Sequence, residues 1–161
     1  MTTNTKHETQ IIVDPDVPLV RIIREFDAPV EKVFRAHTDP EIFKQWTGPN
    51  GYENEIETFD CRTGGSYRYK TSGDGWEGWF RGSFHEVRPN SVIIQTFNYE
   101  DMPDGVSLDR IEFEDLGEGR SRVTSTSLVD SFEGRDAFIA SGMEVGVNEG
   151  YQRLDAILAA G

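Results

Sequence analysis

The side chains of this sequence that could hold a metal ion or act as nucleophiles include three histidines and one cysteine. His7 lies in a polar N-terminal tail, His37 ends a short helical pattern, and His85 lies in a strand pattern. No two of them have the spacing of a metal-binding pair, and the sequence has no H-E-x-x-H motif. Cys61 has no neighbouring histidine in the sequence that would activate its thiol. We therefore predict no metal site, no cofactor and no catalytic thiol.

Motifs for nucleophilic or phosphate chemistry are also absent from the sequence. It has no G-x-S-x-G nucleophile elbow and no glycine-rich phosphate loop. Glu53, Glu55 and Glu57 alternate along one strand pattern, which is typical of a solvated strand face rather than a metal cluster. No catalytic residue is therefore assigned.

Aromatic side chains give the clearest indication of a ligand site. Most of them fall in or beside the strand patterns and the last helical pattern. Aromatic rings line apolar cavities well, and they fill solid cores equally well. The predicted cavity-lining residues are Trp46, Trp79, Phe84, Phe97, Tyr99, Phe113, Met143, Val147 and Tyr151.

Some polar side chains could give such a cavity a hydrogen-bonding or ionisable group. The strand pattern of residues 120–128 (RSRVTSTSL) directs Val123, Ser125 and Ser127 to one face. Hydroxyls on that face could orient a polar group of a ligand, although hydroxyls are also ordinary on solvated strands. The predicted polar residues of the cavity are Arg62, His85, Glu86 and Ser125.

These residues must be positioned by a helix near the end of the sequence and by the strands that precede it. Residues 142–160 (GMEVGVNEGYQRLDAILAA) repeat apolar side chains at steps of three and four, which predicts an amphipathic helix. Its apolar stripe consists of Met143, Val147, Gly150, Tyr151, Leu154, Ile157 and Leu158. Such a helix must bury that stripe against another layer of structure.

The preceding sequence predicts a curved antiparallel sheet. A short strand over 11–13 and a full strand over Leu19–Phe26 are followed by two short helices that start at Pro29 and Pro40. Six more strands are predicted between residues 52 and 129, then a short helix over 131–141. Short turns favour antiparallel pairing, and Gly78 and Gly82 within one strand indicate a bend. The predicted fold is therefore α+β, with a curved antiparallel sheet wrapped around the long C-terminal helix and two short helices between the first two full strands.

Length, charge and cysteine content limit the function classes. The 161 residues suit one domain, which we place at 19–161, after a partly disordered N-terminal arm over 1–18. A formal net charge of −13 repels phosphate backbones, so nucleic acid is not an expected partner. No apolar stretch has the length of a membrane span or resembles a signal peptide. The single cysteine suits a reducing compartment, so the predicted location is cytoplasmic. The sequence leaves open whether the protein forms a homodimer.

Five segments in order carry a resemblance to a known family. They are residues 24–41 (REFDAPVEKVFRAHTDPE), 46–49 (WTGP), 60–65 (DCRTGG), 82–89 (GSFHEVRP) and 140–146 (ASGMEVG), followed by Leu154. From about residue 19 onward the sequence resembles the SRPBCC superfamily, in the branch named for the C-terminal domain of the activator of the heat shock protein 90 ATPase. The resemblance implies a helix-grip fold similar to that of START lipid-transfer domains and the birch pollen allergen, which hold hydrophobic ligands between the sheet and the long helix.

Three functional hypotheses follow. The leading one is the binding of a small hydrophobic molecule between the sheet and the C-terminal helix, without catalysis. An alternative is an enzyme similar to polyketide cyclases and aromatases, or a hydrolase, which would need a polar group with a shifted pKa in the cavity. The other alternative is an interaction module that stimulates a chaperone ATPase, with the chaperone as its partner. The resemblance transfers no catalytic residue to this sequence.

Overall fold

An antiparallel β-sheet and four helices make up the protein, for which a computed structural model describes residues 8–161. The elements are β1 Gln10–Val13, β2 Leu19–Phe26, α1 Val30–Thr38, α2 Pro40–Trp46, β3 Glu53–Phe59, β4 Ser66–Gly73, β5 Trp76–Arg88, β6 Val92–Tyr99, β7 Val106–Gly117, β8 Arg120–Leu128, α3 Phe132–Ala140 and α4 Met143–Ala160. The predicted α+β, helix-grip fold is confirmed.

Within residues 8–161 the sheet has eight strands in the order β1-β2-β8-β7-β6-β5-β4-β3, and every neighbouring pair is antiparallel. Bulges interrupt β3, β5 and β7, and bulges bend strands and increase their twist. Gly82 adds a close approach, because a Cβ there would lie 2.5 Å from the Tyr67 hydroxyl. That hydroxyl donates to the Thr96 carbonyl at 2.6 Å. Gly82 therefore leaves room for a tyrosine that crosses the inner face of the sheet.

The two short helices start close to the predicted prolines. Asp39 caps α2 by accepting a hydrogen bond of 2.9 Å from the Glu41 amide, and Pro40 is the first helical residue. For α1 the prediction was off by one residue, since Pro29 is the extended N-cap residue and the helix begins at Val30. Both helices pack on α4, so they form one layer with it.

Helix α4 buries the predicted stripe. Met143, Gly150, Tyr151 and Leu154 are buried, and the other three residues of the stripe are half-buried. Gly150 allows close contact with α2, because a Cβ there would lie 2.7 Å from the Trp46 carbonyl oxygen. No helix within residues 8–161, α4 included, combines the length and apolar composition needed to cross a bilayer.

An ion pair joins α4 to the sheet. Arg24 on β2 donates two hydrogen bonds, of 2.9 and 2.6 Å, to the two carboxylate oxygens of Asp155. The Arg24 side chain is only 2% exposed, so this pair is much less screened than a surface ion pair. It fixes the rotation of α4 about its axis relative to β2.

The first strand pairs with the body of the sheet. β1 pairs along its whole length with β2, from Gln10 opposite Ile23 to Val13 opposite Val20. Of the predicted N-terminal arm over 1–18, the first seven residues lie outside the described residues.

Candidate functional site

A cavity of about 250 Å³ lies on the inner face of the sheet. Strands β3 to β8 supply most of its wall, and α1, α2 and α3 each contribute at least one side chain. Its lining residues are His37, Phe43, Thr47, Phe59, Tyr67, Tyr69, Phe84, Ile93, Gln95, Phe97, Ser107, Asp109, Ile111, Ser127 and Phe138. The wall is therefore mainly aromatic and aliphatic, with a small polar part.

That polar part comes from neighbouring strands in register. Gln95 on β6 lies opposite Asp109 on β7, and Asp109 lies opposite Ser127 on β8. Residues directly opposite on antiparallel strands share a face of the sheet, so these three side chains form one row. Ser107, two residues before Asp109, projects from the same face. We call Asp109, Gln95, Ser107 and Ser127 the Asp109 cluster.

Asp109 is a buried carboxyl group, 8% exposed, that is held by hydrogen-bond donors. The Ser107 hydroxyl donates to its Oδ1 at 2.9 Å, and the Gln95 amide nitrogen lies 3.4 Å from its Oδ2. Burial raises the pKa of Asp109, while hydrogen bonds from Ser127, Ser107 and Gln95 act in the opposite direction. Among the described residues that line the cavity, none is a lysine or an arginine that could neutralise this carboxyl.

His37 is a second buried ionisable group in the wall, at the end of α1. Its Nδ1 lies 2.8 Å from the Val33 carbonyl oxygen, and a carbonyl can only accept, so the proton is on Nδ1. Burial lowers the pKa of His37 to about 4, against a weaker opposing effect of that hydrogen bond. The ring is therefore neutral at pH 7, and its Nε2 is a hydrogen-bond acceptor.

Two of the predicted aromatic residues, Phe84 and Phe97, line the cavity. The others that were predicted on or near the helices lie in the solid core instead. Trp46 stacks on Tyr151, and its Nε1 donates to the Ala36 carbonyl at 2.9 Å. The predicted residues that pack in the core rather than in the cavity wall are Trp46, Phe113, Met143, Val147 and Tyr151. No α4 residue lines this cavity, whereas the sequence placed the site between the sheet and α4.

Trp79 and Tyr99 also lie outside the cavity wall. Trp79 packs beneath Arg68, whose guanidinium carbon is 3.9 Å from the indole centroid. Strand alternation directs its neighbour Phe80 to the inner face, and so Trp79 to the outer face. Tyr99 donates its hydroxyl to Asp101 at 2.9 Å, at the end of β6.

The polar residues that were predicted for the cavity do not line it. Arg62 is exposed and pairs with Asp60 at 2.9 Å, and His85 is exposed. Glu86 pairs with Arg88 at 3.0 Å. The bulge after Phe84 shifts the alternation of β5, so Glu86 does not share the inner face with Phe84. Ser125 lies opposite Ile111, a lining residue, and therefore shares the inner face. The lining hydroxyl of β8 is instead Ser127, two residues further along the strand.

Sequence reasoning assigned neither Asp109 nor His37 to the site. The signal for Asp109 was present, because Ser107, Asp109, Ile111 and Phe113 occupy alternate positions of β7. Because Ile111 and Phe113 lie on the inner face, the Asp109 carboxyl is expected on the same face. His37 had no comparable signal, since its partner is a backbone carbonyl.

A second, larger groove of about 570 Å³ lies between α2 and β3. It is bordered mainly by charged and polar residues, among them the exposed Glu41, Lys44, Glu53 and Glu55, and it shares Phe59 with the cavity. Because water solvates these charges, the groove does not suit an apolar ligand.

Metal and thiol chemistry find no support in the described residues. Within residues 8–161, no group of three or more His, Cys, Asp or Glu side chains is arranged to hold a metal ion. Burial raises the pKa of Cys61 to about 12, and the nearby Asp60 acts in the same direction. The thiol is therefore protonated, and unreactive as a nucleophile, at neutral pH.

The sequence matches the profile of a known protein family. The family profile described as "Activator of Hsp90 ATPase homolog 1-like protein" matches residues 27–159, in agreement with the resemblance found in the sequence. A search of curated proteins found no match.

Solved bacterial structures share the fold. A solution structure of a protein from Arthrobacter aurescens superposes with a TM-score of 0.85 at 26% identity, covering 94% of this chain and 92% of that one. A crystal structure of a protein from Rhodobacter sphaeroides gives a TM-score of 0.85 at 27% identity, covering 95% and 99%. Protein Ms6760 from Mycobacterium smegmatis, at 23% identity, has the same fold with a TM-score of 0.85 over 94% and 97% of the two chains.

Proposed function

The chain belongs to the family of Activator of Hsp90 ATPase homolog 1-like proteins, and from its cavity we propose that it binds a small hydrophobic molecule. The observation that carries this proposal is a hollow of about 250 Å³ with mainly aromatic and aliphatic walls. Apolar walls with a few convergent polar groups are the usual form of a small-molecule site. Trp46 and Tyr151, which the sequence assigned to the cavity wall, pack against each other outside it.

The volume limits the size of the ligand. An apolar cavity of about 150 Å³ is enough to bind benzene, and sites for drug-sized ligands begin at about 300 Å³. A space of about 250 Å³ therefore suits one ring or two fused rings, or a short aliphatic chain. A steroid or a phospholipid would extend beyond this space into the solvent.

Native mass spectrometry of freshly purified protein, followed by solvent extraction, tests the proposal. We expect either a co-purified compound of low mass or, after its removal, an adduct with added 2-naphthol. The matched control is Ile111→Phe, which extends a lining side chain into the hollow and should abolish the adduct. Wild-type protein that carries no compound, and forms no adduct with 2-naphthol or naphthalene at millimolar concentration, would overturn the proposal.

A second candidate function is acid–base catalysis in the same cavity. It is favoured by the presence there of two buried ionisable side chains, Asp109 and His37, whose pKa values are shifted. Prolonged incubation of the extracted ligand with the protein distinguishes the two functions. A binding protein returns the ligand unchanged in mass and structure, whereas an enzyme converts it, and Asp109→Asn or His37→Phe stops that conversion.

A chaperone partner is a further candidate, and one surface patch favours it. Leu108 on β7 lies opposite Leu128 on β8, and both are at least a third exposed, as is Val106. Adjacent exposed apolar side chains are typical of interaction surfaces. Stimulation of a chaperone ATPase that is lost in Leu108→Glu would support this function, and a lack of stimulation by wild-type protein would exclude it. We place the protein in the cytoplasm, since its single cysteine, Cys61, forms no disulfide within the chain.

A further inference from the structure

Resting on the proposed function, we infer that the ligand is a compound of one or two rings that donates a hydroxyl hydrogen bond to Asp109, and that carboxylic acids are excluded. The structure thereby assigns Asp109 as the residue that selects the head group. The aromatic and aliphatic wall selects the apolar body of the ligand.

The hydrogen-bonding groups of the cavity point to a donor on the ligand. A carboxylate offers about four lone-pair sites, and Ser107, Gln95 and Ser127 account for three donors to Asp109. The bond from Gln95 is long, at 3.4 Å, so Oδ2 keeps capacity for a closer donor. Nε2 of His37 is a second acceptor in the same wall.

Three hydroxyl groups of the wall already donate within the protein, whereas the wall also contains the buried Tyr69. The Tyr67 hydroxyl donates to the Thr96 carbonyl at 2.6 Å, and the Thr47 hydroxyl donates to the Phe43 carbonyl at 3.0 Å. The Ser107 hydroxyl already donates to Asp109. A ligand that only accepts hydrogen bonds would thus leave the inward carboxyl without a new partner.

Charge excludes an anionic head group. A carboxylate ligand would lie beside a buried carboxyl, and the described lining residues include no lysine or arginine to offset the repulsion. Two carboxylates in one poorly solvated site cannot both stay ionised without a large cost. Fatty acids and aromatic acids are therefore not the expected ligands.

Three probes of matched shape test this inference: 2-naphthol with a hydroxyl, naphthalene with no head group, and 2-naphthoate with an anionic one. Titration of wild-type protein at pH 7, followed by protein NMR shifts, gives the three Kd values. We expect the Kd of 2-naphthol to be about tenfold lower than those of the other two, as one hydrogen bond to a buried carboxyl implies. This ranking requires no variant and therefore does not depend on whether a variant folds.

Asp109→Asn tests the assigned residue. It removes the negative charge and supplies an amide donor, so 2-naphthoate should bind more tightly than it does to wild type. The preference for 2-naphthol over 2-naphthoate should shrink by about tenfold. Glu112→Gln is the matched control, because it removes a carboxyl from an exposed position on the same strand. It should leave the ranking as in wild type.

The outcomes separate this inference from the proposed function. If none of the three probes binds wild-type protein, the proposed function is wrong and the inference falls with it. If all three bind with equal Kd values, or 2-naphthoate binds best, the cavity binds ligands but the assignment of a donor head group is wrong. An unchanged ranking in Asp109→Asn would contradict the role of Asp109.

Discussion

The Tyr151 ring stacks on the Trp46 indole, with centroids 5.8 Å apart and planes inclined by 20°. Phe26 meets the same tyrosine edge-on at 5.3 Å. These rings pack α4 against α2 and β2, and the hollow lies apart from them, over β3 to β8 and beside α1, α2 and α3. The long helix thus supports the site without lining it.

The first prediction concerns this closed contact. Tyr151→Ala should lower the free energy of unfolding by about 3–5 kcal/mol, the usual cost of removing a buried aromatic ring. Val145→Ala, at an exposed position of the same helix, should change it by less than about 0.5 kcal/mol. Urea unfolding measures both. Since Tyr151 does not line the cavity, folded Tyr151→Ala protein should keep the wild-type Kd for 2-naphthol, and a large rise in that Kd would contradict the separation of core and cavity.

The second prediction follows from the buried His37. Its pKa is lowered from 6.5 to about 4 in the folded state, so the unfolded state binds the proton first as the pH falls. Stability is therefore full above about pH 6.5 and declines between about pH 6.5 and 4, by about 3 kcal/mol in all. Urea unfolding at several pH values should show a clearly smaller decline for His37→Phe. His85→Gln, at an exposed histidine, should keep the wild-type decline. Equal declines in all three proteins would show that His37 is not buried as a neutral ring.

The third prediction concerns the stability cost of Asp109. The pKa of Asp109 is raised in the folded state, so the protonated carboxyl favours folding at low pH. That contribution to the free energy of unfolding is lost as the pH rises through the pKa of the folded state. Asp109→Asn should therefore be more stable than wild type at pH 7, with a gain that shrinks toward pH 4. Glu112→Gln supplies the baseline for a carboxyl on the solvated face. Destabilisation by Asp109→Asn at pH 7 would mean that the bonds from Ser107 and Gln95 outweigh the cost of burial.

The fourth prediction concerns the side of the cavity formed by α3. Arg135, 6% exposed, holds this helix by donating to the Asp14 and Leu19 carbonyls at 2.8 and 3.0 Å. Arg135→Gln should loosen α3 and with it Phe138, a residue of the cavity wall. The dissociation rate of 2-naphthol, measured by stopped-flow fluorescence, should rise about threefold to tenfold. Arg81→Gln, at an exposed arginine, should leave the rate unchanged, and no difference between the two variants would argue that α3 does not retain the ligand.

The fold could be predicted from the sequence, because its signals are local. The prolines at the starts of α1 and α2, the stripe of α4 and the alternation of the strands place the elements within a few residues of their observed bounds. The site was harder to predict, because its position depends on which face of each strand turns inward. Trp79 shows this difficulty. The side chains of β5 that lie on the inner face are those of Phe80 and Phe84, so Trp79 lies on the outer face beside Arg68.

Asp109 illustrates a different limit. Its alternation with Ile111 and Phe113 was readable in the sequence, but polar residues on strands are more often solvated than buried. Only the pairing of β7 between β6 and β8 brings Gln95 and Ser127 beside it. That pairing joins residues far apart in the sequence, and no local pattern encodes it.

The most direct test of the cavity as a ligand site compares the binding of 2-naphthol to two variants of β7. Ile111→Phe enlarges a side chain that lines the hollow, whereas Leu108→Phe enlarges an exposed side chain on the outer face of the same strand. Isothermal titration should give wild-type binding for Leu108→Phe and no detectable binding for Ile111→Phe, with both proteins folded by circular dichroism. Undiminished binding by folded Ile111→Phe would show that the ligand binds elsewhere and would contradict this account.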